Sequence, residues 1–365
     1  MNLSPPLPER TLAQVYSRIL QAVDTLKEVA DLVGTGLASA DARNHASHGS
    51  WRVSQYVDFV QAGRIDPTIV TPKTLFESPV ETVFDGQKCF GQVMTNYAVN
   101  HACDKARHGE FGSYSVSFSN SDHIGRLATH CEAAIENGFL VIAMAGCFGQ
   151  GRIAPPGGKE KRLGTNPILF GIPRADGKAL MVDTTTSSTA EGKCRVAKFA
   201  KKQVPRGWLI DSHGRPSTDP EVLYQGPPYG TILPMGAHKG FGLGLLVQLM
   251  TCVMARTSLD PRGGMQGANI GWIHAVDLKK SDRHSDYNEL VSSIELVLEE
   301  WFRTSAPIDS ENIILMPNEP EIRFHDQCVK KGVPVAKPIW AEIMKTADKV
   351  GADFGGITSQ NPYPP

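Results

Sequence analysis

An eight-residue apolar run near the middle of the chain constrains the fold more than any other feature. Residues 138–145 read Gly-Phe-Leu-Val-Ile-Ala-Met-Ala, and a glycine-rich stretch follows at once. The run is too short to cross a membrane and contains no polar residue, which is typical of a strand buried inside a sheet. The sequence therefore predicts a sheet that other elements must cover on both faces.

The segments on either side of this run predict further strands and helices. Residues 114–118 alternate as a strand does, a polar turn follows, and a helix is expected through about residue 135. Two more strands are predicted at 168–172 and 179–183, and helices at 92–107, 245–254, 290–304 and 340–350. Apolar residues at helical spacing from 12 to 33 predict one long helix that ends at Gly34 and Gly36. The pattern indicates an α/β protein.

Length and charge bound the number of lobes and the class of partner. At 365 residues the chain exceeds the usual size of one compact core, so two or more lobes are expected. The formal net charge of -1 argues against a nucleic-acid partner. No signal sequence and no run of eighteen apolar residues occur, which predicts a cytoplasmic protein without a membrane partner. The cysteines include no Cys-x-x-Cys pair, and no metal site is predicted.

Three side chains with acid/base and anion-binding chemistry recur at four-residue intervals. His48, Arg52 and Tyr56 would share one face of a helix, with Ser47 beside the histidine. An imidazole transfers protons near neutral pH, a guanidinium holds a carboxylate through two parallel bonds, and a phenol can orient the group between them. Spacing alone leaves open whether this face is a site or the polar side of a surface helix.

Two loops are candidate anion-binding sites, each at the beginning of a helix. Residues 120–125 read Asn-Ser-Asp-His-Ile-Gly, and residues 236–244 surround His238 and Lys239 with glycines. Backbone N–H groups at such positions attract phosphate or carboxylate, and Lys239 adds a positive charge. The alternative for the second loop is a glycine-cushioned helix with a solvent-facing lysine. Neither loop has the Rossmann or P-loop fingerprint, and His123 is interpreted as a functional histidine.

Five separated motifs together resemble the malate/L-lactate dehydrogenase family, which lacks the standard Rossmann motif. In family order they are Ser47-His48-Gly49 with Arg52 and Tyr56, Asn120-Ser121-Asp122-His123-Ile124-Gly125, Gly164-Thr165-Asn166-Pro167, Asp183-Thr184-Thr185-Thr186-Ser187 and His238-Lys239-Gly240-Phe241-Gly242-Leu243. The resemblance implies a non-Rossmann malate/L-lactate dehydrogenase-like α/β fold, with a mixed β-sheet core between helical N- and C-terminal segments.

The resemblance also implies an activity and a set of site residues. The activity is an NAD(P)-dependent oxidoreduction that interconverts a 2-oxo acid and a 2-hydroxy acid by hydride transfer, in a homodimer with its active site near the subunit interface. Arg52 would hold the substrate carboxylate, with Tyr56 and Thr165 nearby, and His48 or His123 would handle the proton beside Ser47. The cofactor, NAD or NADP, would be bound by His123, Ile124, Gly125, Arg126, Leu127, Asp183, Thr184, Thr185, His238, Lys239 and Glu319.

We expect three domains and a tail. Residues 1–75 with 310–355 would form a helical domain that contributes to the substrate site, and residues 76–135 with 255–309 an α/β domain. Residues 136–254 would form the cofactor-binding domain, and residues 356–365 a flexible tail.

The chain departs from the family pattern at three places. Gly146-Cys147-Phe148-Gly149 stands where Asn-Ser-Pro-Pro is common, and Pro317-Asn318-Glu319 where Pro-Gly-Glu is common, which puts cofactor contacts there in doubt. Lys193 stands where imine-reducing relatives tend to place an acidic residue, which favours hydroxy-acid chemistry. The alternatives are a ketimine reductase acting on cyclic imino acids and a catalytically inactive ligand-binding relative.

Overall fold

A computed structural model of the chain describes residues 5–147, 151–260, 268–280, 286–309 and 311–357. The helices are α1 (Glu9–Gln21), α2 (Lys27–Ala42), α3 (Arg52–Gln61), α4 (Gly91–His108), α5 (Leu127–Glu136), α6 (Glu191–Phe199), α7 (His238–Met254), α8 (Tyr287–Leu296), α9 (Glu319–Lys331) and α10 (Lys337–Val350). The strands are β1 (Lys73–Glu77), β2 (Glu81–Asp85), β3 (Ser113–Ser121), β4 (Phe139–Cys147), β5 (Ile168–Pro173), β6 (Ala179–Thr184), β7 (Leu209–Ile210), β8 (Pro216–Ser217), β9 (Thr231–Ile232) and β10 (Asn269–Asp277). Short 3₁₀ helices cover Ala46–His48 and Pro220–Leu223, and a π-helical turn, Val297–Phe302, continues α8.

A seven-stranded mixed sheet forms the centre of the described structure. Its order is β1-β2-β3-β10-β4-β5-β6, with β2 and β3 parallel and every other neighbouring pair antiparallel. The apolar run is β4, and it pairs with β10 on one side and β5 on the other. The predicted buried strand and the mixed sheet are therefore confirmed.

Helices cover both faces of β4, as its composition requires. Val141 and Ala143 lie in a hydrophobic cluster with residues of α4 and α5. On the opposite face, Cys252 of α7 packs against Ile270 of β10, the strand beside β4. Val141 and Ala143 are buried and Ile142 and Met144 of the opposite face are half-buried, so neither face favours polar residues.

The prediction of one long helix over residues 12–33 is wrong. The chain turns between α1 and α2, where Asp24 takes a φ of 59°. Gly34 does not end a helix but lies inside α2, where a Cβ would lie only 2.5 Å from the carbonyl oxygen of Ala13 in α1. Both helices bury one face in the same core, so the apolar period continues across the turn and does not reveal it.

The two ends of the chain share a second hydrophobic core. Leu12 of α1, Leu37 of α2 and Val53 of α3 pack in one cluster with Trp340 and Ile343 of α10. The seven-stranded sheet includes strands from residues 76–135, 136–254 and 255–309. The division of the chain into domains stays a prediction. No helix in the described ranges is long and apolar enough to cross a membrane.

Candidate active site

A polar cavity of about 290 Å³ brings together residues from separate sequence motifs. Of the predicted site residues, it is lined by Ser47, His48, Arg52, His123 and Thr165. The other lining residues are Trp51, Gln55, Phe59, Arg64, Arg152, Gly164, Ala190, Glu191, Gly192, Arg195 and Asn269. The volume suits a small ligand, and the lining is rich in groups that bind anions.

The turn that carries His48 is held by a buried carboxylate. His48 ends the 3₁₀ helix Ala46–His48, whereas Arg52 begins α3, so the prediction of one continuous helix face is wrong. The backbone N–H of Ser50 donates to Asp41 Oδ2 at 2.8 Å, and the Ser50 hydroxyl donates to the same oxygen. A side chain at Gly49 would overlap the Asp41 carboxylate. Burial raises the pKa of Asp41 to about 7.

Ser47 and His48 form a hydrogen-bonded pair. The Ser47 Oγ lies 3.0 Å from His48 Nδ1. Burial, followed by the positive charge of Arg52, lowers the pKa of His48 to about 3. A serine hydroxyl can donate to an imidazole nitrogen or accept from it, so this pair can accommodate His48 in both protonation states.

His123 belongs to a different hydrogen-bond chain. Gln92 Nε2 donates to the Tyr56 hydroxyl oxygen at 3.2 Å, and that hydroxyl lies 2.7 Å from His123 Nδ1. With Gln92 donating to the phenol oxygen, the phenol hydrogen can point to His123 Nδ1, and the ring is then neutral with its hydrogen on Nε2. Burial, then the charges of Arg52 and His48, lowers the pKa of His123. The rings of His48 and His123 stack at 5.6 Å between centroids.

Arg52 is a half-buried cation whose hydrogen-bond partners among the described residues are all uncharged. Its Nε donates to the Ser47 carbonyl oxygen at 3.2 Å and its Nη1 to Gln55 Oε1 at 2.6 Å, and the guanidinium lies over the Trp51 ring. No carboxylate of the described residues pairs with it, and burial lowers its pKa to about 10. A partly desolvated charge without a counter-ion is unfavourable, so the site is complementary to an anion.

Sequence reasoning missed three further arginines that line the cavity. Arg64 pairs with Asp122 at 2.5 Å, and Arg195 pairs with Glu191 at 2.9 Å. Arg152 is the third. They belong to separate segments, and Glu191 with Arg195 has the spacing of an ordinary surface pair on a helix, so no local pattern marks them.

The predicted hydroxyl cluster connects the cavity to α7. The carbonyl oxygen of Thr165 accepts from the Thr185 hydroxyl at 2.8 Å and from the Thr186 backbone N–H at 3.0 Å. Asn166 Nδ2 donates to the Gly244 carbonyl oxygen in α7 at 2.9 Å. Thr184, at the end of β6, is half-buried. Three of the predicted motifs are therefore adjacent in space.

The beginning of α7 is open to solvent. His238 and Lys239 form its first turn, and both are exposed. The N–H groups of Lys239, Gly240 and Phe241 already donate to backbone carbonyl oxygens, so the exposed side chains of His238 and Lys239 are the donors that suit a phosphate. The residues present therefore fit the phosphate groups of a dinucleotide.

The segment around Arg126 supplies a second cationic position. Ile124 directly follows the cavity residue His123 and is buried, as is Leu127, which Gly125 and Arg126 separate from it. Arg126 is also buried, and its Nε has no hydrogen-bond partner among the described residues.

Asp183 stabilises the beginning of α5 in this structure. Its Oδ2 accepts from the backbone N–H of Ala128 at 2.9 Å, which satisfies one of the unpaired donors of that helix. Burial raises the pKa of Asp183.

Glu319 is held by two arginines and does not line the cavity. Its carboxylate lies 3.2 Å from Arg174 and 2.5 Å from Arg303, and the bond to Arg303 is the main reason that its pKa falls to about 2. Asn318 takes a left-handed φ of 74°, a conformation that asparagine tolerates, so the turn persists without the glycine common in the family. The chain also departs from the family pattern at residues 146–149. Gly146 and Cys147 end β4, and Phe148 and Gly149 lie outside the described residues.

The chain is similar to known dehydrogenases over nearly its whole length. Residues 7–344 match the family model described as malate/L-lactate dehydrogenase. The chain is 28% identical over 342 residues to hydroxycarboxylate dehydrogenase B of Escherichia coli, covering 94% of this chain and 93% of that protein. It is 29% identical over 355 residues to a malate dehydrogenase of Pyrococcus abyssi, covering 94% and 95%. A solved structure, the sulfolactate dehydrogenase of Methanocaldococcus jannaschii, superposes with a TM-score of 0.79 at 26% identity, covering 95% and 98%.

Proposed function

This chain belongs to the malate/L-lactate dehydrogenase family, and on that premise we propose that the cavity at His48 and Arg52 interconverts a 2-oxo acid and a 2-hydroxy acid. The chain is an oxidoreductase that acts on CH–OH groups with a nicotinamide cofactor. When bound, NAD(P)H supplies a hydride to the carbonyl carbon, and one proton goes to the carbonyl oxygen, which leaves NAD(P)⁺ and the 2-hydroxy acid.

Arg52 carries this proposal. A half-buried guanidinium that hydrogen-bonds only to neutral acceptors gains a full counter-ion when a carboxylate binds. Its planar fork can hold a carboxylate through two parallel bonds, which orients the neighbouring carbonyl group. Thr165 lines the same cavity and would add a hydroxyl to this contact. Tyr56 acts one step away, through His123.

We assign to His48 the transfer of the proton to and from the substrate oxygen. Its partner, the Ser47 hydroxyl, can accept from the imidazolium or donate to the neutral ring, so the hydrogen bond survives both states. His123 is held by Tyr56 and Gln92 as the neutral tautomer with hydrogen on Nε2. While Gln92 donates to the phenol oxygen, the phenol hydrogen has Nδ1 as its acceptor, which disfavours a proton on Nδ1. His123 is therefore suited to donate a hydrogen bond to the substrate oxygen and to keep its own proton.

The cofactor would extend from the cavity toward α7. The nicotinamide end would lie beside His123 and Ile124, and Thr184 and Thr185 would contact the middle of the molecule. Lys239, at the exposed start of α7, and Arg126 provide the positive charge that a dinucleotide diphosphate requires. His238, Gly125, Leu127 and Asp183 complete the proposed contacts. Glu319 stays a weaker candidate because two arginines already hold its carboxylate.

We propose a homodimer that forms through α7. Leu243, Leu246, Met250 and Val253 are spaced as one helix face, and they are 36%, 57%, 39% and 61% exposed. Buried residues of the same helix pack toward β4 and β10. A contiguous exposed apolar face of this kind is typical of a protein–protein interface. The exposed start of α7 places the proposed cofactor site beside that interface.

Two measurements test the function. Nicotinamide fluorescence titration with NADH and NADPH measures binding, and absorbance of the reduced cofactor measures turnover of oxaloacetate, pyruvate, 2-oxoglutarate and piperideine-2-carboxylate. We expect oxidation of NADH or NADPH with at least one 2-oxo acid. Cofactor binding without turnover of any of these compounds would refute the proposed enzymatic activity. Turnover of the cyclic imine alone would identify a ketimine reductase.

A further inference from the structure

The cavity holds more positive charge than a monocarboxylic substrate can neutralise. Four guanidinium groups line it, from Arg52, Arg64, Arg152 and Arg195. Glu191 is the one carboxylate among its described lining residues. Both histidines are kept neutral, because burial and the neighbouring arginines lower their pKa values. The balance of charge therefore depends on which arginines are paired within the protein.

Two of the four arginines have their own carboxylate. Arg64 Nε lies 2.5 Å from the buried Asp122 Oδ2, and the guanidinium also stacks on a phenylalanine ring. Arg195 donates to Glu191 Oε1 through Nε at 3.1 Å and Nη2 at 2.9 Å. The Tyr224 hydroxyl donates to the same oxygen at 2.8 Å, so Oε1 of Glu191 is already engaged and the carboxylate is paired with Arg195.

The other two arginines have no carboxylate of their own. Arg52 contacts only neutral acceptors, as described above. The side chain of Arg152 makes no hydrogen bond or ion pair with any part of the chain that the structure describes. Burial, then the charges of Arg195 and Arg152, lowers the pKa of Arg52, so the two unpaired guanidiniums lie within electrostatic reach of each other.

The backbone holds Arg152 at the cavity. Its N–H donates to the Leu163 carbonyl oxygen at 2.8 Å, and its carbonyl oxygen accepts from the Ile232 N–H at 3.0 Å. These bonds tie the segment to two neighbouring elements on either side of the residue. The half-buried guanidinium is therefore presented to the cavity from a fixed position and not from a loose loop.

From this charge balance we infer that the preferred substrate is a 2-oxo or 2-hydroxy acid with a second anionic group, which Arg152 binds while Arg52 holds the first carboxylate. The inference rests on the proposed function and narrows its substrate class. A carboxylate and a sulfonate satisfy the same requirement, since both present oxygen acceptors with a full negative charge to a guanidinium. Arg152 is then the residue that separates dianionic acids from lactate-type acids.

The sharpest test compares substrates that differ only at the far end. Oxaloacetate and 2-oxobutanoate have the same carbon chain, one ending in a carboxylate and the other in a methyl group. We expect kcat/KM to be about 100-fold higher for oxaloacetate, since a charge-assisted hydrogen bond to a desolvated group contributes a factor of this order. 3-Sulfopyruvate tests whether a sulfonate is accepted as well as a carboxylate. A higher kcat/KM with either dianion than with 2-oxobutanoate supports the inference.

Variants then assign the preference to Arg152. Arg152→Gln should lower the oxaloacetate to 2-oxobutanoate ratio of kcat/KM by about 10- to 100-fold, mainly through KM for oxaloacetate, with 2-oxobutanoate changed by less than about threefold. Arg152→Lys keeps the charge and should retain part of the preference. The matched control is Arg162→Gln, an exposed arginine of the same segment that pairs with Glu160. It should leave the ratio unchanged.

The outcomes distinguish failure of the proposed function from failure of this inference. If no 2-oxo acid oxidises NAD(P)H, the proposed function is refuted and this inference with it. A kcat/KM for 2-oxobutanoate equal to those for both oxaloacetate and 3-sulfopyruvate in the unmodified enzyme overturns the inference alone, and this comparison needs no variant to fold. If Arg152→Gln instead weakens NADH binding about tenfold and keeps the substrate ratio, Arg152 serves the cofactor and the inference is wrong.

Discussion

Replacement of His48 by asparagine tests which histidine carries the proton. His48→Asn is expected to lower kcat by about 10²- to 10⁴-fold and to abolish its pH dependence, as loss of a general acid/base does. His123→Asn is expected to lower kcat but leave the pH dependence in place. The reason is that the Ser47 hydroxyl can follow either protonation state of His48, whereas Tyr56 and Gln92 hold His123 in one.

The position of the pH transition follows from the electrostatics of the cavity. Burial and the charge of Arg52 lower the pKa of His48 to about 3 in the free site. A substrate carboxylate at Arg52 would stand near the imidazole, and at about 6 Å with an effective dielectric constant of about 20 it contributes roughly 2.8 kcal/mol. This energy raises the pKa by about two units, to near 5. The pKa that governs kcat should therefore exceed the pKa that governs kcat/KM.

The assay measures both reaction directions between about pH 4 and about pH 9, a range that spans the transition expected near pH 5 in the substrate complex. Reduction needs protonated His48, so its kcat should fall as pH rises, and oxidation needs the neutral ring, so its kcat should rise to a plateau. Thermal unfolding and cofactor titration of both variants show whether each remains folded. Retention of the pH profile in His48→Asn, together with its loss in His123→Asn, would refute the assignment.

Three further predictions follow from single contacts. Arg52→Lys should raise the substrate KM about 10- to 100-fold with little change in cofactor affinity, because the two-bond grip is lost; an unchanged KM would remove Arg52 from the substrate site. Asp41 keeps its proton in the folded state up to about pH 7 and releases it near its ordinary pKa when unfolded, so this residue lowers stability as pH rises from about 4 to about 7. The unfolding free energy of Asp41→Asn relative to the unmodified protein should therefore increase over that range, and a difference independent of pH in denaturant titrations would contradict this. Leu246→Glu on α7 should produce monomers in light scattering, whereas Leu75→Glu, at an equally exposed apolar position of β1, should not.

Much of the fold could be predicted because burial leaves a local pattern. The apolar run at 138–145 is β4, and the alternation at 114–118 is part of β3. The break between α1 and α2 could not be predicted, because both helices bury a face in one core and the period continues through the turn at Asp24. Gly34 was misinterpreted for a related reason: its role is set by the approach of Ala13 in another helix.

The sequence by itself determined the family and the chemistry available to the site: a histidine, an arginine and a phenol in one segment, a second histidine after a strand, and hydroxyls after another. These features are local, since they depend on residue type and spacing. Tertiary structure alone decided the partners: Tyr56 with His123, Asp41 with the turn before Arg52, and Arg152 without a carboxylate. Protonation and net charge depend on burial and on groups distant in sequence, and these arise only when the chain folds.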